Sequence, residues 1–213
     1  MLKIKTFEVN PLHENCYVVS DETKECVIID CGAFTPEEQV EIISYITSEG
    51  LRPQHLIATH GHFDHNLGAD ALYKAFGLEI ELHRGDERIL RDIKEQATML
   101  CGMTVGFTPR IGHFISGNEE IHFGTHKLKA IATPGHSMGG LCYYCEEEGA
   151  LFSGDTLFRL SIGRTDLPGG SMFMIINSLR YLSQLPDDVT VYPGHGPHTE
   201  LGYEVAHNPY LDR

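Results

Sequence analysis

Between residues 57 and 68 the chain reads IATHGHFDHNLG, which places His60, His62, Asp64 and His65 within six residues. Imidazole nitrogens and carboxylate oxygens are ligands for divalent metal ions. In an extended segment, residues two apart point to the same side, so His60 and His62 can reach one ion together. Asp64 and His65 fall where a helix would begin and face another direction, which suits a second ion nearby. Three further candidates are spread along the chain: His136 in IATPGHSMGG, Asp155 in ALFSGDTLF and His195 in VTVYPGHGPH. Each follows a strand-like apolar run. A single histidine at such a place is more often structural, and a histidine-rich turn is often only surface. Strand ends on one edge of a layered fold converge on one cleft, however, and four separate segments that end alike favour a shared metal site.

The elements that must position these residues are readable from periodicity. LKIKTFEV, NCYVVS and ECVIID alternate in the strand period and are separated by turn-forming residues, as antiparallel strands would be. A helix is expected from Thr35 to Glu49. Thr35 would cap it, Pro36 suits its first position, Val40, Ile43 and Ile46 or Thr47 would share the inward face, and Gly50 ends it. QHLIATH then reads as a buried strand, and NLGADALYKAFG as a helix stopped by Gly77, so the histidine cluster sits on a strand-to-helix loop. LEIELH is a further strand. DERILRDIKEQATML is expected to be one helix with Ile89, Leu90, Ile93, Ala97 and Leu100 inward. The stretch from Cys101 to His113 loses all periodicity and suits either a loop covering a pocket or an ordinary surface connection. The second half repeats the design with strands at EIHFG, HKLKAIATP, LCYYC and ALFSGD, a helix near Ser171 to Ser183 and a last strand at VTVYPG. Two sheets packed face to face with helices outside would cover both faces of each sheet, giving an α/β, four-layer αββα sandwich in a single domain over residues 1–213.

Composition narrows the partners. With 30 acidic against 16 basic residues the formal charge is −14, so the surface repels a phosphate backbone and nucleic acid is excluded as an expected partner. The opening MLKIKTFEVN has no continuous apolar stretch, and no segment approaches the roughly 20 apolar residues that span a membrane. A cytoplasmic protein without a membrane partner is expected, and its six scattered cysteines read as reduced thiols. Cys142 and Cys145 have redox or zinc spacing, but three residues apart in a strand they face opposite ways. Of Tyr143 and Tyr144, one should be core and the other free to face a partner.

THGHFDH, PGHS, SGDTLF and PGHG, in that order, resemble the motifs of the metallo-β-lactamase superfamily, whose αββα sandwich the strand pattern suggests independently. The ligand types are most similar to the glyoxalase II group. That resemblance implies that His60, His62 and His136 bind one metal, that Asp64, His65 and His195 bind the other, and that Asp155 bridges them. The implied cofactors are two divalent metal ions, zinc first, with iron or manganese as alternatives. Such a pair, about 3.5–4 Å apart, can hold a hydroxide and polarise a carbonyl without any serine or cysteine nucleophile. Asp64 would be catalytic as well as ligating, by orienting that hydroxide. The expected activity is hydrolysis of small acyl thioesters or related activated acyl bonds; antibiotic hydrolysis is not expected.

The chain departs from glyoxalase II proper after His195. Only 18 residues follow (213 − 195), where that group carries a helical domain with basic residues for glutathione, so weak discrimination for the tripeptide is expected. Where the group has a lysine after the bridging aspartate, the sequence reads SIGRTDLPGGS. Arg164 is therefore a candidate for binding a substrate carboxylate, with a local ion pair to Asp166 as the alternative. The short relatives of glyoxalase II share IGRTDLPGG. A second branch, the iron-dependent persulfide dioxygenases, also resembles the chain and would use a single iron.

Overall fold

The computed structural model describes residues 1–211 and contains two six-stranded sheets. The first runs in chain order through β1 (Lys3–Val9), β2 (Glu14–Ser20), β3 (Glu25–Ile29), β4 (Arg52–Ile57), β5 (Ile80–His83) and β6 (Ile111–Ile115). β1 to β3 are antiparallel, as the alternating sequence requires, and β3 to β6 are parallel. The second sheet consists of β7 (Glu120–Phe123), β8 (His126–Ala132), β9 (Leu141–Cys145), β10 (Ala150–Gly154), β13 (Thr190–Pro193) and β14 (Thr199–Glu200), in the order β14-β13-β10-β9-β8-β7. A small hairpin, β11 (Leu157–Phe158) with β12 (Ser161–Ile162), follows β10.

Both faces of each sheet are covered, which is why β2, β9 and β10 are buried along their whole length. The period of two sorts their side chains between layers. Tyr17, Val19, Ile29 and Ile57 of the first sheet meet Phe123, Tyr143, Cys145 and Phe152 of the second in the central core. Val18, Ile28 and Leu56 point outward onto α1 (Pro36–Ser48) and α2 (Ala69–Phe76). On the far side Cys142, Tyr144, Leu151 and Val191 pack under Leu179 and Leu182 of α5 (Met172–Leu182). Cys142 and Cys145 thus lie on opposite faces, as expected. Tyr144 does not face a partner: it is core, beneath α5.

Two helical expectations are corrected. α1 has the expected cap, with Glu38 N–H donating to Thr35 Oγ1 and Thr35 N–H to Glu38, but Val40 is 60% exposed and the inward pair is Ile42 and Ile46. Gln39 donates to the carbonyls of Ala33 and Phe34 just before the helix. The single helix expected after β5 is two, α3 (Glu87–Arg91) and α4 (Ile93–Cys101), broken at Asp92, and the break turns Leu100 outward. The connection from residue 102 to 110 lines a cavity of about 230 Å³ with Phe34, Leu67 and Asp70, in keeping with a loop that covers a pocket. It is pinned by Val105, Met103 and Phe107 against Phe63, Leu67 and Ile93, and then leads into β6. A last helix, α6 (Leu201–His207), follows β14. No helix among the described residues is long and apolar enough to cross a membrane.

Candidate metal centre

All seven residues singled out as ligands come together at one end of the sandwich. β4 delivers Thr59, His60 and His62, and a 3₁₀ turn at Phe63–His65 delivers Asp64 and His65. His136 follows β8, Asp155 directly follows β10, and His195 follows β13. Their ligand atoms form three groups, each within 4.8 Å: His60, His62 and His136; His60, His65 and Asp155; and Asp64, His65 and His195. His62 Nδ1 lies 2.8 Å from His136 Nε2, and His65 Nε2 lies 3.2 Å from His195 Nε2. Asp155 stands between the two sets. One carboxylate oxygen is 3.5 Å from His136 Nε2, and the other is 3.4 Å from His65 Nε2 and 3.8 Å from His195 Nε2. Close packing of backbone here requires glycine: a Cβ on Gly194 would strike both Asp155 Oδ1 and His65 Cε1.

The outer nitrogens of the histidines are committed elsewhere, which fixes their tautomers. His136 Nδ1 donates to the Arg164 carbonyl at 2.8 Å, His195 Nδ1 to the Leu12 carbonyl at 3.0 Å, and His65 Nδ1 to the Asp30 carboxylate at 2.9 Å. A carbonyl or carboxylate accepts here, so those nitrogens carry protons and each ring turns its Nε2 inward. Asp30 also accepts from Thr59 N–H at 2.7 Å and Thr59 Oγ1 at 2.8 Å, and Thr59 Oγ1 lies 3.0 Å from His60 Nδ1. That leaves His60 Nε2 and Asp155 Oδ1 buried with no hydrogen-bond partner. Buried polar atoms without partners are costly, and two of them among converging ligands are what a cation would satisfy. The residues present therefore fit a pair of divalent ions.

The electrostatics suit the same occupant. Burial, reinforced by the neighbouring rings, holds His60 well below the usual histidine range and pulls His62 down to about 4. Burial, the largest single influence, would raise Asp155 and Asp64, but the surrounding histidines together, His65 foremost, outweigh it and lower both, Asp155 most strongly. Burial likewise opposes the charged form of His65 and His195, and the aspartates override it and raise both. A metal bound there competes with protons for these two rings.

Three acids contribute that the sequence reading passed over. Asp30, at the end of β3, orients His60 through Thr59 and His65 directly. Asp86 is fully buried beyond β5 and accepts from Gly61 N–H at 2.9 Å, Ser137 Oγ at 2.6 Å and Gly139 N–H at 2.6 Å, so one carboxylate ties the His60–His62 loop to the His136 loop. Glu14, also fully buried, accepts from Gly32 N–H and faces His65 Nδ1 at 3.9 Å. The available signal for Asp30 and Asp86 was an acid just beyond a buried strand, the same as for Asp155. Arg164 forms the local alternative: its guanidinium makes a two-pronged pair with Asp166 at 2.7 and 2.8 Å on the exposed rim, while its carbonyl holds His136.

Two facing sheets with helices outside, and paired histidine–carboxylate sets where the strands end, define a metal-binding αββα protein. Residues 9–195 match the family model of the metallo-beta-lactamase superfamily. Among curated proteins, the chain is 35% identical to the probable metallo-hydrolase YqgX of Bacillus subtilis, across 99% of this chain and 98% of that protein. It is 31% identical to the hydroxyacylglutathione hydrolase GloC of Haemophilus influenzae, across 99% of each. Among solved structures it is similar to BLEG-1 B3 metallo-beta-lactamase, with a TM-score of 0.90 and 34% identity over 99% of this chain and all of that one. It is also similar to TTHA1623 in a di-iron-bound form, with a TM-score of 0.87 and 34% identity over 97% of this chain and all of that one. The chain belongs to the metallo-beta-lactamase superfamily, whose members are generally hydrolytic and typically bind two metal ions.

Proposed function

We propose that this protein hydrolyses small acyl thioesters or related activated acyl bonds, in the manner of glyoxalase II, with a small-molecule substrate and two divalent ions. The observation that carries this is the placement of Asp155, with one oxygen toward each set of histidines and its Oδ1 otherwise unpartnered. His60, His62 and His136 would hold one ion, Asp64, His65 and His195 the other, and Asp155 would bridge. Zinc is the first choice, with iron and manganese as alternatives; the di-iron form of TTHA1623 keeps iron in view. Such ions supply a water whose pKa falls towards about 7 and polarisation of the substrate carbonyl.

The chain's own residues do the rest. Asp64, ionised and 3.4 Å from His195 Nε2, accepts a hydrogen bond from the attacking water and so directs its lone pair to the acyl carbon. A C–O bond forms, the C–S bond breaks, and the thiol leaves with the proton lost by water. The 31% identity with GloC over the full length of both chains supports a thioester substrate. A single-iron persulfide dioxygenase is the competing reading, and the complete Asp64, His65 and His195 set argues for a second ion. The test is to load the purified protein with each metal and assay S-lactoylglutathione, simple acyl thioesters and, because of the likeness to BLEG-1, a β-lactam. Thioester hydrolysis at two ions per chain is expected. A fully loaded protein that cleaves no thioester would overturn the reading.

A further inference from the structure

One cleft opens directly onto the metal centre and has no assigned role. It is walled by α4 and the 167–168 turn, offers about 280 Å³, and shares His62 with the centre. Ligand sites begin at roughly 300 Å³, so this one suits a small group. Its walls are Ile89, Met99, Leu100, Leu167 and Pro168. Across Gly169, Ile89 stands beside Met138, which is 48% exposed, so the apolar surface continues around the rim. Met99 and Leu100 are 84% and 49% exposed on the helix that buries Ala97. The cleft's ionisable groups other than His62 are the carboxylates Asp92 and Glu95, and the exposed Arg88 lies 3.8 Å from Asp92. Arg164, just before the 167–168 turn, is occupied by Asp166. Gln96 locks the wall to the centre, since its Oε1 accepts from Phe63 N–H at 3.3 Å, one residue from His62.

We infer that this cleft is the substrate's apolar subsite, which takes an uncharged alkyl chain of the thioester and disfavours an anionic one. The inference rests on the proposed function and deepens it. Apolar walls gain from burying methylenes, and the acidic rim repels a carboxylate brought to the same place. The chain could be the acyl group or the thiol substituent, and the two are separable.

The experiment uses the metal-loaded protein and two series of neutral thioesters. One extends the acyl chain from acetyl to hexanoyl on N-acetylcysteamine; the other extends an alkyl thiol carrying acetyl. One series should rise in kcat/KM by about fourfold per methylene, about 0.8 kcal/mol each, and so identify which half enters the cleft. Leu100→Glu should flatten that series and Leu100→Met should keep it. Binding of the non-hydrolysable thioether S-hexyl-N-acetylcysteamine, followed by calorimetry, should weaken at least tenfold in Leu100→Glu. Flat series in the parent, or a slope that survives Leu100→Glu, would overturn the subsite. Leu100-dependent thioether binding without any thioester cleavage would instead leave the subsite standing and remove the proposed reaction.

Discussion

Asp155 and Asp64 are carboxylates of the same motif type, yet their surroundings separate them. Asp155 touches both histidine sets, and Asp64 lies at 3.4 Å from His195 and 3.9 Å from His65 only. Asp64→Asn should therefore lose mainly one ion, with hydrolysis reduced. Asp155→Asn leaves both sites without their shared anion, so it should deplete both ions and lower the melting temperature further, because metal binding contributes to folding free energy. Metal content and melting temperature of the two variants check this, and equal losses would contradict it. His62 supplies the inward Nδ1 that meets His136, so His62→Ala should lose most of the ion held by the first set and nearly all hydrolysis. Elemental analysis with a thioester assay on that variant is the check, and full metal content would be the contrary result.

At the level of elements, strands are fixed and loops must be tied to one another. Asp86 does this for the two loops that carry His60, His62 and His136, through three hydrogen bonds on one buried carboxylate. Asp86→Asn keeps the shape but loses acceptor capacity, and outer partners of metal ligands typically contribute 10–100-fold in affinity. A chelator titration should show weaker metal retention in that range; unchanged retention would mean that the loops hold themselves. Much of this scale was legible in the sequence. The histidine cluster, the motif glycines and the apolar runs before His136, Asp155 and His195 gave the strand ends, the layers and the seven side chains that converge, since each signal is local. Asp30 and Asp86 were not legible as partners, because sheet order, not spacing, brings them to Thr59 and to Gly61 and Gly139. The rotation of α1 and the break at Asp92 were missed for a related reason. Val40 with Ile43 and Ile42 with Ile46 make equally good stripes until packing on the sheet selects one. Leu100 fits a continuous inward stripe only if the helix does not break.

For the whole molecule, the two sheets are also clamped far from the site. Asp21, just after β2, accepts from Thr125 N–H and lies 3.1 Å from His126 Nδ1 at the start of β8, and His126 Nε2 lies 3.3 Å from Glu148. Burial opposes the His126 charge, but Asp21 and Glu148 raise it above the usual histidine range; hydrogen bonds from Thr23, Thr125 and His126 outweigh burial and lower Asp21. The amino terminus, 3.3 Å from Glu148, and Glu22 complete the surroundings. A raised histidine stabilises fully below its unfolded value of about 6.5, and that contribution is lost as pH rises through the folded value. A lowered aspartate stabilises above about 3.9, and its contribution is lost in acid. The melting temperature should fall from pH 6 to pH 8 in the parent, and His126→Gln should remove that part of the fall; an identical profile in the variant would dissociate His126 from it. The central claim concerns the other end of the sandwich, where both sheets converge on paired ion sites joined by Asp155. Its most direct measurement is the metal content, by elemental analysis, of parent and Asp155→Asn protein purified side by side. About two ions per parent chain and loss of both in the variant are expected, whereas two tightly held ions in Asp155→Asn would contradict the bridged centre.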